Sequence, residues 1–288
     1  MITDTPRWFL GVDAGATRCR VRVRDSAGSL RAEAEGPAAN AYVDFTRASE
    51  VARDVIAGAL GANIDTSLVR VGLGVAGIGS DEEAERFASS FPGFASVAVV
   101  NDAVTACIGA HGNRDGGLVI IGTGSAGVAR IGGKNTFVGG RGFHLGDDGS
   151  ASRLGLEGAR AAMRAADGLG PESELTHRIR ARFHHDPLAM LHWAAKATPG
   201  DYGALAPLVL EAAHRGDLVA KPLVAAAAAA AATLILRVEA LGAPRVTAVG
   251  GLSEALRPFL DAEVSGRLTP ALFDPTDGAI LLAGGAVQ

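Results

Sequence analysis

The chain has 288 residues, 48% of them hydrophobic and 20% charged, with a formal net charge of −4. That balance excludes a disordered chain, leaves room for two packed domains, and offers no broad basic surface for a nucleic-acid partner. The two cysteines, Cys19 and Cys107, lie far apart and form no CxxC or Cys/His spacing, which argues against structural zinc and an iron–sulfur cluster and suits a reducing compartment.

The opening stretch lacks a basic start followed by a long apolar core, so no signal peptide is expected. "WFLGVD", "RCRVRVRD" and "SLRAEAEG" predict three consecutive strands with turns between them. In the second, Arg18, Arg20, Arg22 and Arg24 alternate with Cys19, Val21 and Val23, the pattern of a two-faced sheet whose arginine side is solvated. A helix over Thr46–Leu60, a buried strand "VRVGLGVAG", a helix "DEEAERFASSF", a buried strand "SVAVVND" and a helix "AVTACIGAHG" complete an order βββαβαβα.

After "NRDGG" the order restarts with "LVIIGTGS", "AGVARIGG" and "NTFVGGRG". A helical stretch from Ser150 to Leu241 follows, then the strand "RVTAVGG", the helix "LSEALRPFLDAEV" and the closing apolar helix in "DPTDGAILLAGGAV". The most apolar segment, Pro222–Leu236, is mostly alanine and shorter than the roughly 20 residues a bilayer span needs. It reads as a helix packed closely between neighbours, in a cytoplasmic protein with no membrane partner. The fold class expected is α/β, one plan used twice with a helical insertion in the second copy. The division falls at 113/114, giving domains 1–113 and 114–288, with a closing helix free to return onto the first.

Two turns occupy equivalent places in the two halves, "DAGAT" (Asp13–Thr17) and "GTGS" (Gly122–Ser125). Small residues at a hairpin tip let backbone N–H groups point into an anion-accepting concavity, although each alone is also an ordinary tight turn. Asp13 would repel a phosphate but can hold Mg²⁺ through water. Asp102 ends a buried strand, where ligands gather in α/β sheets. It is either a base for an attacking alcohol or the N-cap of the next helix. In "GGRGFHLGDDGSASRLG", Asp148 or Ser150 can cap a helix and leave Asp147 for a sugar hydroxyl or metal-bound water; a Ca²⁺ loop lacks its ligand spacing. Gly250–Gly251 before a helix suits adenosine or phosphate, or simply a turn. His184, His185 and His192 have no acid or cysteine at ligand spacing and read as structural.

These motifs, in this order, resemble the sugar kinase/actin/Hsp70 ATPase superfamily. More closely they resemble the branch of N-acetylglucosamine kinases, bacterial glucosamine kinases and BadF/BadG/BcrA/BcrD-type ATPases. The resemblance implies two ribonuclease H-like, actin-like ATPase domains, with sugar, phosphate and Mg²⁺ on the first and nucleotide on the second. It implies an ATP- and Mg²⁺-dependent kinase acting on the 6-hydroxyl of N-acetylglucosamine or glucosamine in carbohydrate metabolism, with a homodimer left open. Asp102 would be the catalytic base. Gly15, Ala16 and Thr17, with Gly122, Thr123, Gly124 and Ser125, would hold the ATP phosphates, and Asp13 the Mg²⁺. Gly250 and Gly251 would contact adenosine, and Asn40, Ala76, Gly77, Asp102 and Asp147 the sugar. Departures are Ala14 in place of the usual first glycine, Arg18 and Cys19 where Lys and Thr are common, and Arg141 where N-acetylglucosamine kinases often carry Trp. A BadF-type activator ATPase, which needs closely spaced cysteines, and a non-catalytic sugar sensor are the alternatives.

Overall fold

The computed structural model describes residues 7–61 and 64–288. They form two compact units. Unit 1 holds the chain up to Gly116 together with Arg130–Asn135 and Pro270–Gln288, and unit 2 holds Gly117–Ala129 and Thr136–Thr269. The expected division at 113/114 lies close to Gly116, where the first stretch of unit 1 ends, and residues 270–288, whose closing helix the sequence left free to return onto the first half, count with unit 1.

Unit 1 is built from β1 (Trp8–Ala14), β2 (Cys19–Asp25), β3 (Leu30–Gly36), α1 (Phe45–Leu60), β4 (Val69–Val75), α2 (Asp81–Ala88), β5 (Ser96–Asn101) and α3 (Asp102–His111). The sheet order is β3-β2-β1-β4-β5, with β1 antiparallel to β2 and parallel to β4, and β4 parallel to β5. β1 and β4 are buried along nearly their whole length, as strands covered on both faces must be. Asp44 caps α1 by accepting the Arg47 N–H, and Ala48, Val51, Ala52, Val55, Ile56 and Ala59 recur at helical spacing to bury one face. That face joins Leu10, Val12, Val21, Val71, Leu73 and Phe87 in one core.

The closing helix, Pro275–Leu282, covers the other face against β1, β4 and α3. It corrects the reading of the arginine stripe. Arg24 is only 8% exposed and bonds both carboxylate oxygens of Asp277, at 2.9 and 3.1 Å. Arg22 pairs with Glu33, Asp274 and Asp277. The alternation marks one face of β2 correctly, but that face is partly roofed by a helix from the far end of the chain.

Unit 2 restarts with β6 (Gly116–Ile121), β7 (Ser125–Ile131) and β8 (Lys134–Gly139), then α4 (Gly142–Leu145) and α5 (Ala151–Ala166). Further helices lead to a long one, Ala220–Ala240, and β9 (Val246–Val249). The sheet order is β8-β7-β6-β9 among the described residues. Where duplication predicts a fifth strand, there is an isolated bridge between Val246 and Leu268. The helix Ala220–Ala240 is not packed on all sides as expected. Val224, Ala227, Ala228, Ala231, Ile235 and Val238 are buried, while Ala225, Ala226 and Ala229 are exposed and Leu236 is 41% exposed. Its length and mean hydropathy of 1.8 would allow a membrane crossing, but its buried stripe packs on α5, Ala206–His214 and β9.

Candidate functional site

In unit 1 the C-terminal ends of β1, β4 and β5 lie side by side, because Asp13 registers with Gly74 and Val75 with Asn101. Five candidates sit at this edge. Asp13 is the last residue but one of β1, directly across the hairpin from Arg20. Arg20 Nη2 donates to Asp13 Oδ2 at 2.7 Å, and Nε to the same oxygen at 3.3 Å. Ala76 follows β4 and bridges Asn40, and the Ala41 N–H donates to the Ala76 carbonyl at 2.9 Å. Gly77 takes φ +88°, and a Cβ there would lie 2.7 Å from Asn40 Oδ1, so only glycine fits beneath Asn40. The Asn40 oxygen accepts the Tyr42 N–H at 3.0 Å, which leaves its amide NH₂ to offer outward.

At β5 the structure exchanges two roles. The helix cap is Asn101, not Asp102: Asn101 Oδ1 accepts the Ala103 N–H at 3.0 Å, and its Nδ2 donates to the Ile78 carbonyl at 2.8 Å. Asn101 thus ties α3 to the Ala76–Gly77 turn. Asp102 is the first helical residue, and its carboxylate accepts backbone N–H groups alone among the described residues, that of Ala103 at 2.9 Å and its own. Burial, together with the charge of Asp13, pushes the Asp102 carboxyl up to about 6.

The first hairpin tip is closed by the Gly15 N–H donating to the Arg18 carbonyl at 3.0 Å. The N–H groups of Ala16 and Thr17, both exposed, have no partner among the described residues. In unit 2 the equivalent tip repeats this economy: the Gly122 N–H donates to the Gly124 carbonyl at 2.9 Å, and those of Thr123 and Gly124 have no partner among the described residues. Ser125 is fully engaged, its N–H donating to Asp147 Oδ1 at 3.1 Å and its Oγ to the Asp148 carbonyl at 2.8 Å. So the N–H donors left unpaired at the tips, among the described residues, are those of Ala16 and Thr17 in unit 1 and those of Thr123 and Gly124 in unit 2. Gly15, Gly122 and Ser125 shape the turns.

Asp147 adopts φ +60°, and its carboxylate lies against Gly124. Ser150 caps α5 by accepting the Arg153 N–H, and Asp148 does not. Gly250, at φ +105°, packs its backbone onto the end of β6, 2.5 Å from the Ile121 carbonyl oxygen measured from a would-be Cβ. Gly251 is open, so of the pair it offers a close approach to a ligand.

For Mg²⁺ the described residues contain no cluster of three or more His, Cys, Asp or Glu ligands. They do fit the way Mg²⁺ is held in phosphoryl transfer, by one or two carboxylates with water and phosphate oxygens. Asp13 Oδ1 has no partner among the described residues, and Arg20 on Oδ2 fixes the group's orientation. Sequence reasoning missed Arg20, although a hairpin register counted from the Asp13–Thr17 turn pairs it with Asp13.

The chain matches the BadF/BadG/BcrA/BcrD ATPase family over residues 10–283. It is 32% identical to the glucosamine kinase GspK of Vibrio cholerae, over 96% of each chain. It is 26% identical to an N-acetylmuramic acid/N-acetylglucosamine kinase of Clostridium acetobutylicum, over 77% of this chain and 76% of that one. A crystal structure from Chromobacterium violaceum, assigned as an N-acetylglucosamine kinase, superposes with a TM-score of 0.89 at 33% identity, covering 97% of this chain and 99% of the other.

Proposed function

Because the chain belongs to the BadF/BadG/BcrA/BcrD ATPase family, we propose that it is an ATP-dependent hexosamine kinase of the cytoplasm. It transfers the γ-phosphoryl group of ATP to the 6-hydroxyl of glucosamine or N-acetylglucosamine. The observation that carries this reading is the Asp102 carboxylate. It stands at a strand tip, relieved of capping by Asn101 and pushed up to about 6, within the range a general base needs at neutral pH.

Asp102 accepts the hydroxyl proton as the alcohol attacks phosphorus. The Asn40 amide and the Ala76–Gly77 turn hold the sugar, with Asp147 on a further hydroxyl. The free N–H groups of Ala16 and Thr17, and of Thr123 and Gly124, stabilise phosphate oxygens without reorganising. Gly251 would lie against the adenosine. Asp13 would hold Mg²⁺ through water, and the ion would supply neutralisation of the phosphate charge.

The activator-ATPase reading needs exposed, closely spaced cysteines. Cys19 and Cys107 are buried, and burial pushes their thiols up to about 12 and about 11. A coupled ADP-release assay over glucosamine, N-acetylglucosamine, glucose and water tests the proposal. Sugar-dependent turnover is expected, with kcat falling ~10²–10⁴-fold in Asp102→Asn. Equal ADP release with water alone would assign the chain to ATP hydrolysis. Unchanged kcat in folded Asp102→Asn would remove the base.

A further inference from the structure

On the arginine face of β2, Arg20 is engaged differently from its neighbours. In the β2–β3 register Arg20 stands opposite Glu35, as Arg22 stands opposite Glu33. Arg22 takes its cross-strand acid, its Nε donating to Glu33 Oε1 at 2.8 Å. Arg20 does not. Glu35 pairs with Arg18 at 3.6 Å, and Arg20 turns to Asp13 on the other side. Both Nη2 and Nε donate to Asp13 Oδ2, and Asp13 is the one hydrogen-bond or ion-pair partner of Arg20 among the described residues. The two side chains are 29% and 15% exposed, so water screens this pair less than an ion pair on the surface.

The pairing matters because a second carboxylate shares the sheet edge. Asp102 heads α3 at the end of β5, and the charge of Asp13 reaches it. Among the described residues no cationic side chain pairs with Asp102. Two carboxylates that interact in this way are an oxygen-donor set for a hard divalent cation. A free ion captured there would take the lone pairs that Asp102 needs for the sugar proton. Arg20 opposes capture twice over. Its charge beside Asp13 repels a bare divalent ion, and it occupies Oδ2, so that Asp13 offers one oxygen instead of two. An ion carried by ATP is not repelled, since phosphate more than offsets its charge and, with water, supplies most of its ligands. Resting on the proposed kinase reading, we infer that Arg20 is a positioning residue that keeps free divalent cations off the edge shared by Asp13 and Asp102, so that the metal enters only as its nucleotide complex.

Mn²⁺, whose paramagnetic resonance signal falls on binding, is the probe. It is titrated without nucleotide into the wild type, Arg20→Lys, Arg20→Gln, and Arg20→Gln combined with Asp13→Asn. The wild type and Arg20→Lys should bind weakly. Arg20→Gln should bind ~10-fold or more tightly, as removing a unit charge close to a divalent ion predicts, and adding Asp13→Asn should abolish the gain. In the ADP-release assay, Mg²⁺ in excess over ATP should inhibit Arg20→Gln and leave the wild type unaffected. Wild-type protein that binds Mn²⁺ as tightly without ADP as with it would overturn the inference with no variant needed. So would equal Mn²⁺ affinity in Arg20→Lys and Arg20→Gln, or a gain that survives Asp13→Asn. The expected Mn²⁺ pattern in a chain that releases no ADP with any sugar would remove the kinase reading and leave the role of Arg20 standing.

Discussion

At position 102 the fold holds a carboxylate whose charge it does little to neutralise. As a base Asp102 must be ionised, so kcat/KM should be flat above pH 7 and fall about tenfold per unit below about 6, where the group takes up its proton. The same shift affects stability. The folded-state value of about 6 lies above the ordinary 3.8, so the folded chain binds this proton more tightly than the unfolded one. Above pH 6 the folded state therefore bears a cost on the order of 3 kcal/mol, which fades as pH falls toward 4. Asp102→Asn should raise Tm at pH 7.5 and lose that advantage by pH 4; a gain independent of pH, in scanning calorimetry, would contradict the assigned shift. Asn101→Ala should act oppositely. It removes the cap, worth about 1 kcal/mol, and leaves the Ile78 carbonyl without its donor. The sequence places the pair Asn101–Asp102 at the strand tip but not which of them caps, because a one-residue shift in helix start exchanges the roles.

Among the elements, the closing helix is the one on which unit 1 most depends. It approaches nearly backbone to backbone: a Cβ on Gly72 would lie 2.0 Å from the Ala279 carbonyl oxygen, and one on Gly278 would lie 1.9 Å from that of Thr105. Gly278→Ala should raise intrinsic helix propensity by about 1 kcal/mol, yet the clash with α3 reverses the sign. A lower urea midpoint is expected, and an unchanged or higher one would show that the helix can shift to make room. Asp277→Ala strands the buried Arg24 guanidinium and should cost about 3–5 kcal/mol. Strands β1 to β5 were legible because alternation and apolar runs repeat within each segment. What covers a strand was not: the partners of Arg22 and Arg24 lie at the other end of the chain, and no local period carries that information. That no fifth strand joins the unit 2 sheet among the described residues has the same origin, since the sequence suggests duplication and only the three-dimensional packing shows where it stops.

For the whole molecule, the motif order sufficed to read two actin-like ATPase units, and the hairpin tips were placed correctly by their small residues. Which N–H groups within them remain free could not be read, because this depends on carbonyls and carboxylates such as Asp147 folding back onto the turn. Unit 1 is assembled from separated stretches of chain. Deleting 270–288 should therefore abolish cooperative unfolding of unit 1 rather than trim it, seen as a lost calorimetric transition with increased binding of an apolar dye. A normal transition in the deletion would show that the sheet closes without its helix. The order of synthesis gives this arrangement a temporal side. The ribosome delivers β1 to α3 first and the helix that seats on them only after all of unit 2, so a nascent chain carries an uncovered sheet face throughout translation of the second unit. The interval in which a chaperone can engage this protein is set by the length of the insertion between α3 and Pro275, and slow codons in unit 2 would lengthen it.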